Sequence, residues 1–140
     1  MIVLDTNVVS ELLRHAPEPR VVAWLTALDD EVAITSMTLA ELLAGVGALS
    51  DGRRRDALRA AIDGVVAQYR GRGAILPFDD AAAAEYAQVL AQRRAAGLAV
   101  STVDAQIAAV CRAHDAVCAT RSTRDFVETG VALVDPWSAS

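Results

Sequence analysis

The sequence contains no lysine; all thirteen of its basic residues are arginine. That absence removes every mechanism that needs an amine nucleophile, a Schiff base or the lysine of a P-loop. Aromatic residues are scarce, at 4%, so stacking platforms for nucleobases are few and a core must be built from Ala, Val, Leu and Ile. The only cysteines, Cys111 and Cys118, lie in apolar surroundings without CxxC spacing; they read as buried small hydrophobes and not as a disulfide or zinc site. No charge-free run exceeds nine residues, against the ~20 needed to span a bilayer. The start MIVLDTNVVS lacks the basic and long apolar regions of a signal peptide. We therefore expect a soluble cytoplasmic protein with no membrane partner. A net charge of −5 and a pI near 4.9 argue against coating nucleic acid by bulk charge, although carboxylates that hold a metal ion have their local sign reversed by it.

What is present is apolar material in short, punctuated segments. The chain has 140 residues, 54% of them hydrophobic, with mean hydropathy +0.31. This suits one domain over 1–140, with no linker or internal repeat to divide it. Three- to five-residue apolar runs (2–4, 32–35, 75–78, 116–120 and 131–134) alternate with helical patterns (6–14, 20–28, 38–49, 53–69, 81–96 and 101–113). Alternation of that kind predicts an α/β fold with a short, mainly parallel five-stranded sheet flanked by helices. Sites in such sheets collect beyond the carboxyl ends of the strands.

Four acids fall at such places. Asp5 ends the first apolar run, where an unpaired charge at the edge of low dielectric is costly; it is equally placed to cap the helix that follows. Glu41 completes Thr38-Leu-Ala-Glu41, a capping-box pattern, and Asp104 completes the similar Ser101-Thr-Val-Asp104. Both nevertheless sit one turn into otherwise apolar helices with no local basic partner. Carboxylates at early helical positions along one sheet edge form an oxygen-rich pocket of the kind that hard divalent cations favour. Asp125 lies just after the fourth strand and can instead pair with Arg121 or Arg124. Ser122 stands where a further polar ligand fits. His15 and His114 lie outside all these segments, which disfavours a metal-free ribonuclease built on two histidines.

The segments Ile2-Val-Leu-Asp-Thr-Asn7, Ile34-Thr-Ser-Met-Thr-Leu-Ala-Glu41, Val103-Asp-Ala-Gln-Ile-Ala-Ala109 and Ala119-Thr-Arg-Ser-Thr-Arg-Asp-Phe126 together resemble PIN-domain proteins. More narrowly they are similar to the VapC toxins of toxin–antitoxin pairs, including the FitB-like branch; Leu76-Pro-Phe-Asp79 and Val134-Asp-Pro-Trp137 fit as well. The resemblance implies a PIN-like three-layer sandwich. It also implies a magnesium- or manganese-dependent endoribonuclease, a homodimer held inactive by a VapB-like antitoxin and reaching operator DNA only through that antitoxin. Asp5, Glu41 and Asp104 match the family's metal-binding acids. The fourth catalytic acid falls either at Ser122, which would leave one well-occupied metal site, or at Asp125, which would support two. Such an enzyme cuts with a metal-activated water, leaving 5′-phosphate and 3′-hydroxyl ends. Dehalogenase-type phosphatases and receiver domains share the strand-ending Asp but need a lysine. The surviving alternative is a nuclease-weak module acting with its antitoxin as a DNA-bound repressor, a reading that Ser122 keeps open.

Overall fold

The computed structural model describes residues 1–139. It contains five strands, β1 (Ile2–Leu4), β2 (Val32–Thr35), β3 (Ile75–Leu76), β4 (Val117–Ala119) and β5 (Leu133–Val134). Its six helices are α1 (Thr6–Leu12), α2 (Pro19–Thr26), α3 (Ser36–Gly47), α4 (Arg53–Gly71), α5 (Asp80–Ala95) and α6 (Thr102–Ala113). The strands form one sheet in the order β3-β2-β1-β4-β5, and every pairing is parallel. The expected α/β class is therefore observed, with a sheet that is wholly and not merely mainly parallel.

Alternation along the strands builds two cores. Ile2, Leu4 and Ile34 pack with Val8, Val9, Val21, Leu42, Val46 and Ile62 of α1 to α4. Val3, Ala33 and Cys118 face the other way, onto α5, α6 and Phe126. This is a three-layer sandwich with the sheet in the middle. Full burial of each aliphatic side chain contributes about 1.5–3 kcal/mol, so a core with little aromatic surface still holds. Cys111 and Cys118 are fully buried free thiols. Among the described residues no helix is long and apolar enough to cross a membrane.

Several element ends differ from the sequence pattern. Strand β3 stops at Leu76 because Pro77 has no N–H for the ladder; Phe78 instead meets Tyr86 edge-on, centroids 5.9 Å apart. Strand β5 begins only at Leu133; upstream, Gly130 has φ +77 and lies where a Cβ would sit 2.2 Å from an Arg112 nitrogen. Helix α3 starts at Ser36, two residues earlier than the pattern suggested, because the Thr35 hydroxyl caps it by accepting from the Thr38 N–H at 3.2 Å. The Thr38–Glu41 capping box is therefore not formed.

Candidate functional site

Strand β1 is central, flanked by β2 and β4, and its last peptide is locked to β4 by Asp5 N–H donating to the Ala119 carbonyl at 2.9 Å. The chain then turns straight into α1. Asp5 consequently caps that helix, accepting from Thr6 N–H at 2.8 Å on Oδ1. Its other oxygen, Oδ2, accepts from the Thr120 hydroxyl at 2.8 Å. The cap and the site are thus one residue: Asp5 is 6% exposed, with both oxygens pinned.

Glu41, freed from a capping role, reaches across to α1, where Oε1 accepts from the Thr6 hydroxyl at 2.7 Å. Thr6 Oγ1 also lies 3.0 Å from Thr38 Oγ1. Asp104 stands in the first turn of α6, and its backbone N–H donates to the Ser101 cap at 3.1 Å. Asp125 closes the short 3-10 turn Thr123–Asp125. All four acids line one concave pocket of about 560 Å³, together with Thr6, Asn7, Glu11 and Ser122, and with Arg14, Arg121 and Trp137 on its rim. His15 and His114 are exposed and outside it. Of the arginine run 53–55 with Arg59, Arg55 pairs with Asp51 just before α4 and Arg59 with Asp63 within it, while Arg54 lines a neighbouring cavity that Thr6 and Glu41 also border.

The electrostatics follow from this crowding. Burial is the main cause that raises Asp5 above the ordinary carboxylate value of 3.8, with Asp104 and Glu41 adding repulsion against the Thr120 and Thr6 hydrogen bonds. Asp104 is likewise raised, first by burial and then by Asp125 and Glu41, while Ser101 and Arg93 pull it down. Glu11 moves the opposite way, lowered by the Glu18 N–H it accepts and by its ion pair with Arg14.

Sequence spacing did not reveal Thr6, Asn7 or Thr120. Asn7 Nδ2 donates to Ser122 Oγ at 3.2 Å, and Asn7 Oδ1 accepts from Arg121 N–H at 3.3 Å. Thr120 Oγ1 in turn accepts from Ser122 N–H at 3.0 Å while donating to Asp5. These residues tie the loop after β4 to the acid that ends β1. The available signal was a buried threonine directly after a strand, next to a polar triplet, but its partner lies 115 positions away.

The donor set is all oxygen: carboxylates and hydroxyls. Burial first, and repulsion from neighbouring acids second, raise two of the acids, and Arg14 is already paired, so a hard divalent cation fits the chemistry of the pocket. Among the described residues no three acidic, His or Cys side chains are already gathered as a metal site; the acids line the pocket walls, and Glu41 and Asp125, both exposed, have room to swing inward.

A pH dependence follows for the ion-free protein. Between the ordinary carboxylate value and the raised native one, the folded chain holds protons that the unfolded chain has released, so stability falls as pH rises through that window. Glu11 opposes this, its contribution being lost as pH falls. Comparing the wild type with Asp104→Asn isolates the Asp104 part. In EDTA at pH 7 we expect the variant to melt about 2 °C higher, the shift that roughly 0.5 kcal/mol produces at this size. The gap should close as pH is lowered toward 4 in a thermal-melt series. A wild type as stable as the variant at pH 7 would mean that Asp104 carries no burial cost.

A family model described as "PIN domain" matches residues 2–131. The chain is 40% identical over 139 residues to Toxin FitB of Neisseria gonorrhoeae, covering 98% of this chain and 99% of that one. It is 38% identical over 138 residues to VapC ribonuclease Y4jK of Sinorhizobium fredii, covering 98% of each. Among solved structures it superposes on FitAcB from Neisseria gonorrhoeae with TM-score 0.91 at 39% identity, covering 99% of this chain and 100% of that one. It also superposes on FitAB bound to an IR36 DNA fragment with TM-score 0.91 at 38% identity, covering 100% and 98%.

Proposed function

The chain belongs to the PIN-domain family, and from that premise we propose that it is the metal-dependent endoribonuclease toxin of a VapBC-type toxin–antitoxin pair. On this reading residues 1–140 act as one domain in the cytoplasm, as a homodimer, with a VapB-like antitoxin as inhibitor. The observation that supports it best is the gathering of Asp5, Glu41, Asp104 and Asp125 on one oxygen-rich pocket at the carboxyl end of β1.

Asp5, Glu41 and Asp104 would hold a magnesium or manganese ion, with Asp125 as the fourth catalytic acid. When bound, the ion supplies a more acidic water and neutralises charge on the phosphate. The chain's own residues set the geometry. Thr120 and the Thr6 N–H fix the plane of the Asp5 carboxylate, and the Thr6 hydroxyl anchors Glu41. Asn7 holds the loop that carries Arg121 and Ser122 against α1. Water attacks phosphorus in line, the bond to the 3′ oxygen breaks, and that oxygen takes a proton, leaving 5′-phosphate and 3′-hydroxyl ends.

Incubating a total RNA pool with the purified, antitoxin-free protein in manganese, with end-mapping of the products, tests this. We expect discrete cuts bearing 5′-phosphates that disappear in EDTA. Cuts that persist in EDTA, or that bear cyclic phosphates, would refute the metal-hydrolysis reading.

The second reading, a repressor module, is favoured by the similarity to a FitAB assembly bound to DNA. With a net charge of −5, the chain alone has little bulk attraction for a duplex; contact with an operator would come through the antitoxin. A gel shift seen with the pair and not with the chain alone supports that division of labour.

A further inference from the structure

We propose that Arg121, shelved on the ring of Trp137, is the clamp that holds an RNA backbone phosphate beside the acidic pocket; this rests on the ribonuclease reading above. The pocket is lined by five carboxylates, Glu11 among them, and two arginines. A polyanion approaching such a pocket is repelled except where a free cation meets it. Arg14 is already committed, with Nη1 3.2 Å from Glu11 Oε1. Among the described residues Arg121 has no carboxylate within ion-pair distance; its charge reaches Glu11 only from further off, as the weakest of the influences that lower that acid.

Arg121 is also ordered for the task. Its guanidinium carbon lies 4.9 Å from the Trp137 ring centroid, a cation–π arrangement that leaves the in-plane N–H donors unspent. Its backbone N–H is held by Asn7 Oδ1 at 3.3 Å, so the loop beneath it is fixed to α1. The shelf is anchored as well. Trp137 N–H donates to Asp135 Oδ1 at 2.9 Å, the Trp137 carbonyl accepts from Arg20 at 3.4 Å, and the ring packs against the core of α1 to α4. An exposed arginine ordinarily loses side-chain entropy when it grips a ligand; here the ring has already restricted the guanidinium to a plane at the pocket rim. A planar, two-pronged donor suits phosphate oxygens. Arg124 is a poorer candidate, because its side chain does not line the pocket.

The test measures RNA binding and cleavage separately. A fluorescent single-stranded RNA is titrated by anisotropy in calcium and in EDTA across a salt series, and cleavage is followed in manganese. For Arg121→Gln we expect Kd and KM to rise about tenfold with kcat within about threefold, and the slope of log K against log salt to shrink by ~0.7, the loss of one single-strand phosphate contact. Arg121→Lys should restore the salt slope but only part of the affinity, since an ammonium neither forks nor stacks on the ring as well. Trp137→Leu should weaken binding with Arg121 still present; because that ring is also part of the core, its melting temperature is read alongside.

An Arg121→Gln protein with unchanged Kd and salt slope would overturn the clamp. So would a loss confined to kcat, which would place Arg121 in the chemical step. If wild type cuts RNA and Arg121→Gln does so equally well, the clamp alone falls; if wild type neither binds nor cuts RNA, the ribonuclease reading falls and the clamp with it.

Discussion

Asp5→Asn is expected to lower kcat/KM for RNA cleavage in manganese by at least about 10³-fold, equivalent to roughly 4 kcal/mol of transition-state stabilisation, while leaving the fold intact. The substitution is nearly isosteric at a residue 6% exposed whose two oxygens accept from the Thr6 N–H and the Thr120 hydroxyl. The amide oxygen keeps the helix cap, and the Thr120 hydroxyl can rotate to accept from the new NH₂. What is lost is the charge, on the acid placed centrally at the end of β1. Burial of that charge is unfavourable without an ion, so the variant should melt no lower than wild type in EDTA. Added manganese should raise the wild-type melting temperature and leave the variant's almost unchanged. Activity within tenfold of wild type would remove Asp5 from the metal-binding set.

The same assay decides the fourth acid. Asp125 lines the pocket and repels Asp104, whereas Ser122 Oγ already accepts from Asn7 at 3.2 Å. That arrangement favours Asp125. Asp125→Asn should cost on the order of 10²-fold and Ser122→Ala less than tenfold, within the range that single electrostatic or positioning groups contribute; the reverse order would return the role to Ser122.

The parts legible in the sequence were those set by local rules. An apolar run of three residues followed by Asp5 reads as a strand buried on both faces with a polar group at its carboxyl end, because a sheet covered on both sides by helices buries every residue of such a run. Strand ends were less legible, as at β3 and β5, since two-residue strands carry almost no periodicity. The start of α3 differs for a sharper reason: Thr38 with Glu41 fits the capping-box spacing and Thr35 does not, yet either threonine can supply a capping hydroxyl. The choice is tertiary. Thr35 takes the cap, and Glu41 bonds instead to Thr6, 35 positions earlier. The acids could be read because charged residues in apolar stretches demand an explanation. Thr6 and Thr120, which orient them, are ordinary residues until the strands are laid side by side. Arg93 was hidden most completely, because in the sequence it is one more cation in the last turn of a helix.

Arg93→Met is expected to destabilise the protein by about 3 kcal/mol, a fall in melting temperature near 10 °C for a chain of this size. Arg93 is 4% exposed and pairs with no carboxylate among the described residues. Its charge is met by carbonyl dipoles instead: Nη1 donates to Arg124 O at 3.2 Å and Val127 O at 2.9 Å, and Nη2 donates to Ala99 O. Methionine retains most of the stem volume but strands three carbonyls, each costing about 1–3 kcal/mol if left dry. Water entry and the removal of an Nε that is itself buried without a partner offset part of this. The solvated Arg59→Met, paired only with Asp63 at 3.1 Å on the surface of α4, should shift stability by less than about 0.5 kcal/mol. The carbonyls also matter for position. Ala99 leads into the cap of α6 and so to Asp104, while Arg124 and Val127 bracket Asp125 and Phe126. One buried guanidinium therefore ties together the segments that carry two pocket acids, Asp104 in the first turn of α6 and Asp125 in the 3-10 turn after β4. At temperatures well below its melting point, Arg93→Met should lose kcat about tenfold or more, the scale of a misplaced catalytic group. Asp104 should also titrate higher, because Arg93 now holds it down. A melting temperature no lower than that of Arg59→Met would show that solvent satisfies those carbonyls as well as the guanidinium does.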